Sequence, residues 1–255
     1  MPLPPRAALE DVAVRAGRVG LRHFYRVAAE RKPDQTLVTQ ADREVEAFLT
    51  AELGALCPEA GIIGEEGTTR RGNAPYVFVL DPIDGTSAFV AGLPTWCVCL
   101  GVVADGRPLA GVVYLPCADE VYSAMDGAAW WRGSPLSSLP LTPRVGEGAM
   151  LMHAKMHRRH RLTYVGEAHA FGSAAYHIVL VARGVAQAAL LGRSYVWDLA
   201  AAGAVLTAVG GTFEYLSGKS VELSALMGGE RMTEEALAGT PAAIAQVRTA
   251  LLPVA

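Results

Sequence analysis

The chain carries little excess charge of either sign. Its 22 Lys and Arg nearly balance 25 Asp and Glu, leaving a formal net charge of −3 over 255 residues. No overall field therefore draws it onto nucleic acid. It also lacks an apolar run long enough to cross a bilayer: the longest stretches, Trp96–Val103 and Leu199–Val209, fall short of the ~20 residues a helical span needs. The N-terminal stretch alternates charged and apolar side chains with no uninterrupted hydrophobic segment, which speaks against a secretory leader and for a cytoplasmic protein. Cysteine is scarce. Cys57, Cys97, Cys99 and Cys117 form no C-x-x-C pair and have no histidine at zinc-finger spacing. Cys97 and Cys99 alternate with Trp96, Val98 and Leu100, so they are expected to share one strand face as small buried hydrophobes, not as metal or redox groups. Internal repeats and low-complexity tracts are also missing.

What is present is a composition of 51% hydrophobic and 18% charged residues, enough for a sizeable core. Residues 7–31 read as an amphipathic helix with Leu9, Val12, Ala13, Ala16, Val19, Gly20 and Phe24 near one face. A polar loop, KPDQT, leads to a second helix that starts at Thr39, places Val45, Phe48, Leu49, Leu53 and Leu56 at helical spacing, and closes at Pro58. Tyr76–Leu80, Trp96–Val103, Leu109–Leu115 and Glu120–Ala124 read as strands, with a hairpin turn at Ala104–Pro108. The Ser- and Pro-rich stretch Ser134–Pro143 is the natural connection. After it, strand candidates Ala149–His153, Leu162–Val165 and Gln187–Leu191 alternate with helical stretches Ser173–Arg183 and Asp198–Val209. We expect an α/β (α+β) protein with an antiparallel-sheet domain over residues 1–138 and a mixed α/β domain over 139–255.

Five acidic positions carry the chemistry. Asp81 and Asp84 flank Pro82-Ile83 at the end of an apolar strand, directly before Gly85-Thr86. Alone the pair reads as a turn. Yet a helix opening at Gly85 would present free N–H groups to an anion, and a carboxylate pair beside an anion requires a cation between them. Glu65 lies in the loop Gly64-Glu65-Glu66-Gly67, Asp42 matches a capping box with Thr39, and Asp198 stands as the N-cap of an Ala-rich helix. Each has an ordinary structural role by itself. Converging on one pocket, they would suit a hard, oxygen-loving cation such as Mg²⁺.

The ordered set LVTQAD, GEE, DPIDGT and WDLAA, spread from about Leu37 to Gly211, resembles the inositol monophosphatase family, the magnesium-dependent, lithium-sensitive phosphatases. The resemblance implies a layered αβαβα sandwich, a homodimer, and hydrolysis of a phosphate monoester at two or three Mg²⁺ ions. It implies that Glu65, Asp81 and the Ile83 carbonyl hold the first ion, that Asp81 bridges to a second held by Asp84 and Asp198, and that Glu65 also serves a third through waters. Asp42 and Thr86 would orient and help deprotonate the attacking water. Gly85 and Thr86, beside Asp84, would receive the phosphate, and Ser173 and Ala174 in a Phe171–Ala175 loop would meet the substrate.

Two departures bear on the substrate. The position where inositol phosphatases carry an acid that binds a ring hydroxyl aligns with Leu191, and the segment from Met150 to Gly172 is shorter than in those enzymes. Within it lies a basic patch, His153–Arg161, read as a solvated loop or, alternatively, as a seat for a second anionic group. The expected substrate is an inositol or sugar phosphate. The alternatives are a 3′(2′),5′-bisphosphate nucleotidase, a histidinol-phosphate phosphatase, a fructose-1,6-bisphosphatase, or a catalytically silent protein that binds metal or phosphate.

Overall fold

The first helix, α1, spans Arg6–His23 and buries Leu9, Val12, Ala13, Ala16 and Val19, the expected stripe. It stops at His23 and does not reach residue 31. Phe24 leaves the helical region and turns its ring against Phe89 and Trp96, and Tyr25 takes φ 66°. The residues beyond follow no helical stripe; Ala29–Arg31 (β1) instead pairs antiparallel with Leu37–Thr39 (β2). α2 follows over Gln40–Leu56, opened by the Thr39–Asp42 capping box. The computed structural model describes residues 2–26, 28–33, 36–139 and 148–254.

A large sheet begins with β3 (Gly61–Gly64), β4 (Thr69–Arg70) and β5 (Val77–Asp84). After the short α3 (Thr86–Val90) it continues through β6 (Cys97–Ala104), β7 (Arg107–Leu115), β8 (Glu120–Met125), β9 (Ala128–Trp131) and β10 (Ser134–Pro135). The strand order is β10-β9-β8-β7-β6-β5-β3-β4, antiparallel throughout except for β3 beside β5. The hairpin between β6 and β7 turns on Asp105 and Gly106, both at positive φ, the backbone a two-residue hairpin demands. The expected connection Ser134–Pro143 begins as the edge strand β10; its residues 140–143 lie outside the described residues.

The second sheet draws on β11 (Ala149–Met152), β13 (Ala168–His169), β14 (Ala186–Leu191), β15 (Thr212–Tyr215) and β16 (Ala236–Gly239), in the order β13-β11-β14-β16-β15. β12 (His160–Leu162) pairs separately with β17 (Leu251–Pro253). Helices α4 (Ala174–Ala182) and α5 (Val196–Ala208) lie between the two sheets, α1 and α2 cover the outer face of the first, and α6 (Pro241–Thr249) covers the second. The layers are αβαβα, as expected. One apolar core joins β5–β8 to α4 and α5; another lies under α1 and α2.

The seat of α5 is set by two glycines. A Cβ on Gly111 would stand 2.2 Å from the Ala201 carbonyl oxygen, and one on Gly101 would stand 2.7 Å from the Ala200 Cβ. Only bare backbone on β6 and β7 facing alanines on α5 allows this approach. Gly111→Val is expected to cost about 1–3 kcal/mol of stability by overpacking; denaturant unfolding with an unchanged midpoint would show that the contact has slack.

Candidate active site

Strand β5 buries its whole C-terminal half. In a regular strand, residues three apart point to opposite faces. Here the pairing with β6 shifts between Asp81, opposite Cys99, and Asp84, opposite Cys97, so Pro82-Ile83 insert one extra residue. The bulge returns Asp84 to the face of Asp81, while the Ile83 side chain enters the core under α1 and α2. Asp198 arrives from α5, where it is the third helical residue and not the N-cap: the helix opens at Val196, and the Asp198 carboxylate accepts from the Tyr195 N–H at 2.9 Å. Carboxylate oxygens of Asp81, Asp84 and Asp198 all lie within 4.8 Å of one another.

Glu65 joins from the loop after β3. Its N–H donates to the Leu80 carbonyl at 3.1 Å, which fixes the loop beside the end of β5. Two residues that the sequence reading passed over hold this loop. Glu46 is buried on α2 and accepts from the Glu66 and Thr68 N–H groups at 2.7 and 2.9 Å. A Cβ on Gly64 would fall 2.5 Å from that carboxylate, hence the glycine. Lys32 donates to Glu65 at 2.9 Å and to Glu66 at 2.6 Å. Burial opposes the Lys32 charge, but the two carboxylates outweigh it and hold its pKa above the usual lysine range. An acid one helical turn beyond Asp42, on the same buried stripe, was the available signal for Glu46. Lys32, in a polar loop, offered none.

Burial and mutual repulsion govern the acids. Burial pushes Asp81 well above the usual carboxylate range, and Glu65, Asp84 and Asp198 add to it. Asp198 is pushed up to about 7 by burial and then by Asp84. Asp84 is raised by burial, against the pull of its hydrogen bonds. The Asp81 Oδ1 atom is buried without a hydrogen-bond partner among the described residues. An orphaned oxygen at the centre of repelling carboxylates is the donor set a hard divalent cation takes up, so these residues fit Mg²⁺.

Asp42 and Thr86 also meet. Asp42 Oδ2 accepts from the Thr39 N–H (2.8 Å) and hydroxyl (2.6 Å), which leaves Oδ1 facing the Thr86 hydroxyl at 3.3 Å. One oxygen of the carboxylate thus caps the helix while the other meets Thr86. Thr86 Oγ1 also lies 3.2 Å from the Ile83 carbonyl, and its single proton serves one acceptor at a time. Gly85, at φ 95°, opens α3. Ser173 is buried: its hydroxyl donates to Asp84 Oδ2 at 2.6 Å, joined by the Ala175 N–H at 2.5 Å, while the Ala174 N–H reaches Oδ1 at 3.3 Å. Ser173 and Ala174 thus position Asp84, and Gly172 is the member of their loop that lines the cavity.

That cavity, about 470 Å³, has Glu65, Asp81, Asp84 and Asp198 at its floor and Arg31, Lys155 and Arg231 around it. A separate hollow of about 450 Å³ lies near Leu136–Leu139 and Gly184–Gln187, and among the described residues that line it there is no carboxylate or thiol. The basic patch divides. His153 and His160 bond the buried Glu235 at 2.9 and 2.6 Å, so this part is anchored and is not a solvated loop. Lys155 alone of the patch lines the acidic cavity. Leu191 is buried in the core; two residues on, Arg193 reaches an adjoining hollow with Tyr195 and Trp197. Cys97 and Cys99 are buried on one face as expected, but it is the face of the carboxylates.

Comparison with known proteins agrees with this geometry. The chain is 31% identical to the 3′(2′),5′-bisphosphate nucleotidase CysQ of Aggregatibacter actinomycetemcomitans over 83% of its length and 85% of the relative's. It is 33% identical to the histidinol-phosphatase of Mycobacterium tuberculosis over 82% and 83%. Its fold superposes on the Thermotoga maritima IMPase with a TM-score of 0.83, covering 95% of this chain and 94% of that one at 24% identity. A sequence model of the inositol monophosphatase family matches residues 6–250. The matched span runs from the first residue of α1 past the end of α6 and includes every carboxylate of the cluster, and the chain belongs to the inositol monophosphatase family.

Proposed function

We propose that the protein is a Mg²⁺-dependent phosphomonoesterase of small-metabolite phosphates. Phosphatases of this family are generally Mg²⁺-dependent, and the observation that carries the reading here is the orphaned Asp81 oxygen in a buried acidic cluster beneath a cationic rim. In this reading Glu65, Asp81 and the Ile83 carbonyl hold one ion, and Asp81, Asp84 and Asp198 another, with Glu65 also serving a third. Bound there, Mg²⁺ supplies charge neutralisation of the phosphoryl group and a water of lowered pKa.

The chain's own residues do the rest. Thr86 Oγ1 accepts a proton from the attacking water as it passes its own to Asp42 Oδ1. Burial raises the Asp42 pKa, against the bonds from Thr39, and so makes it a better proton acceptor. The N–H groups of Gly85 and Thr86 orient the phosphate, and Ser173, Ala174 and Ala175 keep Asp84 in place. No Ser, Cys or His nucleophile takes part. The protein works as a homodimer in this reading, which light scattering checks.

Lys155 and Arg231 favour a substrate with a second anionic group, in line with the bisphosphate nucleotidase among its relatives. A panel of inositol, sugar, histidinol and nucleoside mono- and bisphosphates with Mg²⁺, run with and without Li⁺, tests both points. Bisphosphates are expected to show the higher kcat/KM, and Li⁺ to inhibit. Hydrolysis of no phosphate ester would refute the enzymatic reading.

A further inference from the structure

We infer that Asp84, Cys97 and Cys99 form a second cation site, selective for a thiophilic divalent ion such as Zn²⁺ or Cd²⁺, which shares Asp84 with the Mg²⁺ cluster. The register of β5 on β6 sets Asp84 opposite Cys97 and Asp81 opposite Cys99, so both thiols sit on the carboxylate face. Both cysteines are free and fully buried. Cys97 Sγ lies 3.9 Å from Cys99 Sγ and 3.8 Å from Asp84 Oδ2, and one donor atom from each of the three residues falls within 4.8 Å of the others. A tetrahedral zinc with Zn–S bonds of ~2.3 Å and a Zn–O bond of ~2.1 Å sets sulfurs ~3.8 Å apart and sulfur and oxygen ~3.6 Å apart. The Cys97–Cys99 and Cys97–Asp84 separations are close to those edges without rearrangement of the strand. The Ser173 hydroxyl, 3.4 Å from Cys97 Sγ, completes the polar wall.

Sulfur ligands select against Mg²⁺ and for softer ions. The ion replaces the two thiol protons, which leave to solvent, and is held by two thiolates and one carboxylate. It reaches the thiols past Asp84, which lines the cavity. Once bound it draws on Asp84, so occupation of this site and of the Mg²⁺ cluster are mutually antagonistic. A thiophilic cation is then an inhibitor that acts from the floor of the active site, without contacting the phosphate.

The test uses Cd²⁺ alone on the full chain, read by the ultraviolet thiolate-to-cadmium charge-transfer band. The Cys57→Ala/Cys117→Ala double variant retains only this thiol pair and is expected to bind one Cd²⁺ with the intensity of two thiolates. Absence of the band there overturns the proposal, whether or not the next variants fold. Cys97→Ala and Cys99→Ala, or their serine counterparts, are expected to weaken Cd²⁺ binding by about tenfold or more; an unchanged titration in variants with a normal circular dichroism spectrum also overturns it. Saturating Cd²⁺ is expected to suppress the rise in Tm that Mg²⁺ produces. A Mg²⁺ shift that survives Cd²⁺ would show that Asp84 is not shared.

Discussion

Asp81→Asn is expected to abolish Mg²⁺-dependent phosphatase activity, by at least about 10³-fold, and at the same time to make the metal-free protein harder to melt. Asp81 is buried and ringed by Glu65, Asp84 and Asp198, and its Oδ1 has no hydrogen-bond partner among the described residues. A neutral amide of the same shape removes the repulsion, and its N–H₂ group finds carboxylate acceptors on neighbouring residues. The same change removes one of the charges that would hold the cation in the proposed function. Each kcal/mol of relief raises Tm by roughly 2–4 °C in a chain of this size. Calorimetry after chelation, together with steady-state kinetics in Mg²⁺, reads both arms. Loss of activity with a fall in metal-free Tm would make Asp81 a structural residue, and retained turnover would remove it from the reaction.

Raising the pH of the metal-free protein is expected to destabilise it, and Mg²⁺ to restore the loss. Burial pushes Glu65 up to about 8, with Lys32 opposing and Asp198 adding, and burial with Asp84 pushes Asp198 up to about 7. Unfolded, the two acids ionise near their ordinary values of 4.5 and 3.8. Below those values both states hold the protons and nothing is lost. Between them and the folded pKa values the unfolded chain has released protons that the native cluster still binds, so stability falls as pH rises, with the full loss reached near pH 8. A bound cation takes the place of those protons, so Mg²⁺ affinity rises over the same window. The Mg²⁺-induced shift in Tm is therefore expected to be small at pH 5 and large at pH 8. Equal shifts at the two values would show that the cation and these protons do not compete.

The layers were legible because long apolar stripes report burial directly. α2, β6, β7 and α5 fall close to where periodicity places them. The end of α1 was not legible, because a charged segment with no stripe is governed by pairing with β2, a partner that local spacing does not reveal. The same division holds in the site. Asp81, Asp84, Asp198 and Glu65 stand in short motifs that singly read as turn, cap and loop, and it is their resemblance, as an ordered set, to one family that picks them out. Lys32, Lys155 and Arg231 come from separate loops and meet the acids only after the sheets have assembled. Asp42 was readable as a cap, which one of its oxygens is, while the contact of the other with Thr86 comes from a separate element.

The bulge in β5 gives this site a parity. Whether a strand residue faces the carboxylates or the core beneath α1 and α2 depends on whether the count from Asp81 is odd or even, and the extra residue changes that count once. Regular pairing through the same residues, with no bulge, would turn Asp84 into the apolar core and bring Ile83 into the cluster, without altering a single ligand's identity. The segment between the two aspartates thus acts through the bend it puts in the strand.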